Sequence, residues 1–408
     1  MENKNVPSIR FKGFFDDWEQ RKLIDNAEKV LDYRGKSPTK FGMEWGNEGY
    51  LVLSALNVKN GYIDKSIEAK YGSPELFERW MGDNRLVKGD VLFTTEAPLG
   101  NVAQVPDNKG YILNQRAVAF KASKVTDNNF FAQLLRSPII QNILNSNSSG
   151  GTAKGIGMKE FAKISAHVPK LEEQQKIGLF FKQLDETITL QDRELELLKL
   201  TKKSFLQQLF PDSQQISPNI RFANYHEDWE QRKLGELAEF NPKSKLPEKF
   251  EYVDLESVVG TALIGHKTES IESAPSRAQR LAAYGDVFYQ TVRPYQKNNY
   301  LYDLPYDNFV FSTGYAQMRP KNSGYFLLNL VQEEKFVNRV LERSTGTSYP
   351  AINSNDLSRL SVKVPVEKKE QTKIGTFFKQ LDETITLQEE KLKKLKETKK
   401  SFLQKMFI

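Results

Sequence analysis

Residues 173–191 read Glu173-Gln174-Gln175-Lys176-Ile177-Gly178-Leu179-Phe180-Phe181-Lys182-Gln183-Leu184-Asp185-Glu186-Thr187-Ile188-Thr189-Leu190-Gln191. Residues 370–388 read almost the same: Glu370-Gln371-Thr372-Lys373-Ile374-Gly375-Thr376-Phe377-Phe378-Lys379-Gln380-Leu381-Asp382-Glu383-Thr384-Ile385-Thr386-Leu387-Gln388. A second pair lies upstream of each. Ile9-Arg10-Phe11 and Trp18-Glu19-Gln20-Arg21-Lys22-Leu23 recur as Ile220-Arg221-Phe222 and Trp229-Glu230-Gln231-Arg232-Lys233-Leu234. The chain is a tandem duplication whose ends stayed alike while the interiors diverged. A shared frame around unlike contents predicts two similar modules that read two different things.

The repeated stretch sets the helical part. In the first copy apolar residues fall at Ile177, Phe181, Leu184, Ile188, Leu195, Leu198, Phe205 and Leu209. With Gln191 and Lys202 counted as polar seam positions, the steps alternate four and three, the heptad period. The second copy places Ile374, Phe378, Leu381, Ile385, Leu392, Leu395, Phe402 and Met406 in register, with Gln388 and Lys399 at the matching polar breaks. Amphipathic helices of this length need partners, and the two tails are the obvious partners for each other. The stretch from Ile177 to Leu209 spans roughly 50 Å at about 1.5 Å per residue. Gln191 and Gln388 are either register-fixing buried polar residues or polar residues tolerated at a helix edge.

The rest of each repeat reads as mixed α and β. Gly89-Asp90 turns into Val91-Leu92-Phe93, and Gly285-Asp286 into Val287-Phe288-Tyr289, each a turn feeding a short strand. Alternation over 101–105 and the run Phe309-Val310-Phe311 suggest further strands. A helical stretch is expected over about 129–144, broken near Pro138, with a counterpart over about 325–341. Small Gly/Thr/Ser loops follow at 148–152 and 344–348, and each module closes on Val168-Pro169 or Val364-Pro365. The expected fold class is α+β: two pseudo-repeated mixed α/β domains joined by two long helices that form an antiparallel coiled coil. The expected division is a first domain over 1–170, a spacer helix over 171–210, a linker over 211–218 with Ser217-Pro218, a second domain over 219–366 and a second spacer helix over 367–408.

Composition narrows the function by exclusion. The 408 residues contain no cysteine, which removes disulfides, cysteine–zinc sites and thiol catalysis and fits a reducing cytosol. Hydrophobic residues make up 39%, and the mean hydropathy is −0.57. No apolar run approaches the length of a membrane span, and Met1 to Lys12 carries no apolar core of a signal peptide. The net charge of +7 permits a polyanion partner such as DNA. Gly35-Lys36-Ser37 lacks the upstream glycine of a phosphate-binding loop, because position 30 is Val30, and reads as an exposed basic loop. No G-x-G-x-x-G is present, and Asn241-Pro242-Lys243-Ser244 is not the Asn-Pro-Pro-aromatic motif of amino-methyltransferases. His167, His226 and His266 show no metal-ligand spacing. Glu68-Ala69-Lys70, a fragment of a nuclease motif, reads as charged surface. No catalytic or metal-binding constellation emerges.

A chain without chemistry, built of two divergent modules on one helical frame, is most simply a reader of DNA, through side chains that bond base edges and phosphates. The candidate residues in the first repeat are Arg34, Lys36, Ser37, Thr94, Thr95, Asn101, Gln115, Arg116 and Lys154. In the second they are Arg277, Arg280, Gln290, Thr291, Arg293, Tyr295, Lys297, Gln317, Thr347, Ser348 and Tyr349. The segment from Arg277 to Lys297 is dense in Arg, Gln and Tyr and poor in acids, as a nucleic-acid face should be.

The pattern resembles the DNA-specificity subunits of type I restriction–modification systems. The resemblance rests on the Asp17-Trp18 and Asp228-Trp229 motifs, the Gly-Asp-Val turns at Gly89 and Gly285, the Gly-Thr loops at Gly151 and Gly346, and the transitions from Pro169 to Ile177 and from Pro365 to Ile374. It covers essentially the whole chain. It implies two target recognition domains, each reading half of a bipartite, asymmetric site, and a coiled coil that sets the spacer. It also implies two methyltransferase subunits that use S-adenosylmethionine, restriction subunits that use ATP and Mg²⁺, a cytoplasmic setting, and no catalysis or cofactor binding by this chain itself. A coiled-coil scaffold is the alternative, and a self-sufficient DNA-modifying enzyme a more distant one.

Overall fold

The computed structural model describes residues 5–67, 69–151, 154–212, 214–346 and 348–408. Glu68, Thr152, Ser213 and Thr347, each within a segment singled out above, lie outside the described residues. Leu171–Gln208 and Lys368–Lys405 each form one uninterrupted helix of 38 residues. Neither contains proline, and both follow a Val-Pro pair whose fixed φ ends the preceding strand. The chain divides into two compact units: the residues up to Asp192 with Glu390–Ile408, and Arg193–Glu389. Each unit thus holds half of one long helix and half of the other.

Within each unit the two helix halves pack antiparallel. In the first, Asp185 pairs with Lys399, Asp192 with Lys396 at 2.9 Å, and the Phe180 and Phe402 rings meet edge to face at 5.1 Å. In the second, Lys202 pairs with Asp382 at 2.5 Å, Lys199 with Glu389 at 2.7 Å, and Phe205 meets Phe377 at 5.0 Å. The seam residues Ile177, Phe181, Ile374 and Phe378 are fully buried. Leu184, Ile188, Leu198, Leu381, Ile385 and Leu395 are half-buried, as a two-helix seam leaves them. The polar break at Gln388 is buried, and its Nε2 donates to Glu194 Oε2 at 3.0 Å. The outermost anchors lie just past the seam read from the sequence. Phe407 packs on Trp18 and Phe130, and Phe210 on Trp229 and Phe326.

The main contacts of the frame occur in both units. Strand Glu19–Lys22 pairs antiparallel with Ser165–Val168, and Glu230–Lys233 with Ser361–Val364, so the first shared motif of each module closes against the strand that precedes the long helix. Arg10 forms a two-pronged ion pair with Glu173 at 2.7 and 2.8 Å, and Arg221 the same with Glu370. Glu173 and Glu370 are 1% and 0% exposed. Gly178 and Gly375 let the helix lie on the N-terminus of a second helix, Asn128–Arg136 or Gly324–Gln332. A Cβ at Gly178 would sit 2.3 Å from Asp127 Oδ1, and one at Gly375 2.5 Å from Ser323 Oγ. The helical stretch breaks at Ser137 before Pro138–Ser146, as proline dictates. In the second unit it breaks at Glu333, which is extended without any proline to force it.

Each unit has a four-stranded sheet ordered alike: Ala27–Asp32, Ala117–Ala122, Val91–Thr94, Val102–Gln104 in the first, and Ala238–Phe240, Tyr315–Pro320, Val287–Gln290, Tyr300–Leu301 in the second. Beside it the interiors part. The first unit adds a three-stranded sheet, with Tyr50–Leu53 parallel to Tyr111–Leu113, and the helix Pro74–Met81. The second keeps the parallel pair, Lys249–Val253 with Phe309–Ser312, but flanks it with strands Lys267–Ser270 and Ala278–Leu281. Among the described residues no helix is long and apolar enough to cross a membrane.

Candidate nucleic-acid interface

In each unit the central strand is buried on both faces, and its end is where chain segments converge. Thr95 N donates to Arg116 O and Ile156 N to Thr95 O, both at 2.9 Å. In the second unit Thr291 N donates to Gly314 O at 2.9 Å and Ile352 N to Thr291 O at 3.0 Å. Bridges Glu96↔Gly155 and Ser149↔Gly155 tie the strand end to the Gly/Thr/Ser loop, as Val292↔Ala351 and Thr345↔Ala351 do in the second unit. Two residues beyond the threonine, both units place a non-glycine in the left-handed region just before a proline: Ala97 at φ 46° and Arg293 at φ 55°. Such backbone is uncommon without glycine, and its repetition at equivalent points marks a shared surface feature.

The side chains presented there differ. In the first unit Arg116, itself left-handed at φ 63°, has its Nε 2.8 Å from Glu96 Oε1. Nearby Arg34 donates from Nε to Asp32 Oδ2 at 2.9 Å. Burial raises the Asp32 carboxyl, but the bonds from Arg34 outweigh it and hold the acid below its ordinary value. In the second unit no carboxylate is present in 290–299, 312–315 or 343–352. Arg293 instead lies over the Tyr349 ring at 5.0 Å, a cation–π contact, and its buried Nε has no hydrogen-bond partner among the described residues. Tyr349 is 65% and Tyr295 49% exposed.

The other candidates scatter. Gln115 and Lys154 are exposed, and Ser37 bonds Thr39 Oγ1 at 2.6 Å. Asn101 Nδ2 donates to Val58 O at 3.0 Å. Lys36 belongs to no open basic loop: its Nζ sits 4.5 Å over the Tyr33 ring and donates to Trp80 O at 3.2 Å, and burial lowers its pKa. Thr94, Thr95, Gln290, Thr291 and Gln317 are buried. Gln317 Nε2 donates to Leu281 O and Asp286 Oδ2, both at 2.7 Å, and Gln290 Nε2 to Val292 O at 2.6 Å. These side chains brace the strand ends from inside. Lys297 pairs with Glu334. Burial lowers the pKa of half-buried Arg280, while Arg277 and Ser348 are exposed. Thr347 lies outside the described residues.

Residues the sequence reading passed over belong to the same place: Glu96, Asp32, Gln296, whose Oε1 accepts from Gln290 Nε2 at 2.9 Å, and Asn299, whose Oδ1 accepts from Gln290 N at 2.8 Å. The shared Thr95-x-x-Pro98 and Thr291-x-x-Pro294 were the available signal. Folding also brings His266 Nδ1 within 2.7 Å of Glu251 Oε2, a proximity invisible in sequence spacing, but no metal-binding group of three or more His, Asp or Glu forms among the described residues. In the wall of the cavity of about 880 Å³ in the second unit, Lys199, Lys202 and Lys379 are paired with acids.

Comparison with known proteins follows the same division. The family described as "Type I restriction modification DNA specificity domain" matches residues 15–200 and again 226–397. The type I restriction enzyme MjaVIII specificity subunit of Methanocaldococcus jannaschii is 21% identical over 95% of this chain and 91% of its own. The HindI specificity subunit of Haemophilus influenzae is 24% identical over 39% of this chain, a match that spans only 36% of that protein. The crystal structure of the type I restriction–modification S subunit from M. genitalium shares the fold, with a TM-score of 0.64 at 15% identity and 99% coverage of both chains.

Proposed function

This chain belongs to the type I restriction–modification DNA-specificity family, and we propose that its two units each read one half of a single bipartite, asymmetric DNA site. The chain is the non-catalytic specificity subunit of such a system. The observation that carries the finer reading is the contrast within the duplication. Arg10–Glu173 and Arg221–Glu370 are the same contact twice, whereas the strand ends offer Glu96 with Arg116 in one unit and Arg293 with Tyr349 in the other. Like frames suit like partners, and unlike strand ends suit unlike half-sites.

On this reading residues 1–170 and 219–366 are the recognition domains, 211–218 the linker, and 171–210 and 367–408 the helices that set the unread spacer. DNA repeats every 34 Å or so, within reach of a helix pair of roughly 50 Å. Two methyltransferase subunits would dock on the two copies of the frame and supply S-adenosylmethionine chemistry. Restriction subunits would join them and supply ATP- and Mg²⁺-dependent cleavage, in the cytoplasm where the chromosome lies. The test is a modified-base map of a methylation-free host that expresses the chain with its methyltransferase subunit, against the same host lacking the chain. A new bipartite motif with unlike halves is expected. A stable complex that adds no bipartite methylation would overturn the reading.

A further inference from the structure

We propose that Glu96 is a positioning residue that fixes Arg116 to read one guanine in the half-site of the first unit. The inference rests on the reading of each unit as a half-site reader. Its starting point is Arg116, held at φ 63° in the turn before strand Ala117–Ala122. A left-handed non-glycine costs free energy and persists where the surroundings demand it. The equivalent place in the second unit is Gly314, where a Cβ would meet the Leu255 side chain at 2.9 Å. One unit therefore packs a leucine side chain against a glycine where the other carries an arginine in unfavourable backbone.

Stability does not explain the arrangement. The Glu96 and Arg116 side chains are 46% and 56% exposed, and ion pairs so open to water contribute little. Nor does phosphate binding explain it, because a carboxylate beside the backbone of DNA repels it. Glu96 is the only carboxylate in 94–101, 114–116 and the described residues of 148–156, and it is firmly placed. Its backbone bridges to Gly155, where an added Cβ would lie 2.9 Å from Glu96 Cβ. Its carboxylate meets Arg116 at Nε, 2.8 Å away, an ion pair that tethers the guanidinium at the strand end. A planar fork tethered in this way suits guanine O6 and N7, the commonest specific arginine contact. The second unit solves the same problem with an aromatic face, Tyr349 under Arg293.

The experiment uses the full chain in complex with its methyltransferase subunits and a panel of duplexes, each with one base pair of the site changed. Methyl transfer is read as kcat/KM on each. Arg116→Lys, which keeps the charge but loses the fork, should relax discrimination at a single guanine by about tenfold or more. Glu96→Ala should relax the same guanine with Tm essentially unchanged. Glu96→Gln, which keeps the side chain but removes the charge that holds the guanidinium, should relax the same guanine nearly as far as Glu96→Ala. The inference is overturned if Glu96→Ala and Arg116→Lys relax different positions, which would make Glu96 an independent reader, or if either lowers transfer equally on every duplex. A wild-type complex that methylates no bipartite motif removes the half-site reading and this inference together. A wild-type motif that Glu96→Ala leaves intact base by base removes this inference alone.

Discussion

The two units hold one arginine identically and another differently. Arg10 and Arg221 both grip a buried glutamate with two bonds of 2.7 and 2.8 Å. At the strand ends Arg116 meets a carboxylate and Arg293 an aromatic ring. The first kind of position sits where a motif, a strand and a long helix meet, and any change there disturbs all three. The second projects from loops tied to the scaffold by a few backbone bonds, where side chains can be exchanged without repacking anything. The same rule holds one level up. The frame sheets share strand order, while the adjoining layer is a three-stranded sheet with helix Pro74–Met81 in one unit and a four-stranded sheet in the other.

The strongest way to break the comparison is to remove the buried acid. Glu173→Ala and Glu370→Ala each leave a poorly solvated arginine without its partner, a loss of about 3 kcal/mol. Equal falls in thermal or denaturant stability are expected in the two variants, since the contacts are copies. A loss in one and not the other would show that the frames are alike in sequence but not in energetics.

The glycines at the helix crossing give a smaller effect with a diagnostic sign. In an ordinary helix, Gly→Ala gains up to about 1 kcal/mol. At Gly178 the new Cβ would lie 2.7 Å from the backbone nitrogen of Phe130, and at Gly375 2.8 Å from that of Phe326. Backbone cannot swing aside as a side chain can. Gly178→Ala and Gly375→Ala should therefore destabilise by about 1–3 kcal/mol. Stabilisation in a chemical denaturation curve would mean that the crossing opens freely.

These positions also mark what could be read beforehand. The seam from Ile177 to Leu209 was legible because heptad period and duplication said the same thing twice. The glycine in Lys-Ile-Gly was visible in both copies, but its reason, contact with the helix start at Asp127 or Ser323, was not local. The pairing of Glu19–Lys22 with Ser165–Val168 went unread because the strand Glu-Gln-Arg-Lys shows no apolar alternation. Helix Pro74–Met81 carried a cap signal, Ser73 before Pro74, but in an interior without a repeat to corroborate it. At the candidate interface the surface residues Arg116, Arg293 and Tyr349 were legible as candidates. Thr94, Gln290 and Gln317 were not separable from them, because the central strands are buried on both faces and the alternation that tells inward from outward is lost.

Arg293 sharpens the functional side of the comparison. Arg293→Ala removes the guanidinium stacked on Tyr349, and methyl transfer should fall about tenfold. The lost discrimination should be confined to the half-site opposite the one affected by Arg116→Lys. Tyr349→Ala, which leaves the arginine but not its platform, should act on the same half more weakly. Equal loss at both halves on the base-pair panel would turn Arg293 into a general phosphate contact.

Gln388 tests where the likeness of the helices stops mattering. Its side chain is 8% exposed and donates to Glu194 at 3.0 Å, so Gln388→Leu trades polar contacts, this bond among them, for a better-filled seam. A bond of this kind is worth about 1 kcal/mol, and a buried leucine returns a similar amount or more. Melting should shift little, and upward if at all. Glu194 is exposed and keeps its solvation when its partner is lost, which removes the usual penalty for orphaning an acid. The contribution expected of the glutamine is register, because a polar seam residue is satisfied in one alignment only. A large fall in Tm for Gln388→Leu would contradict that division and make the polar break a source of stability rather than of alignment.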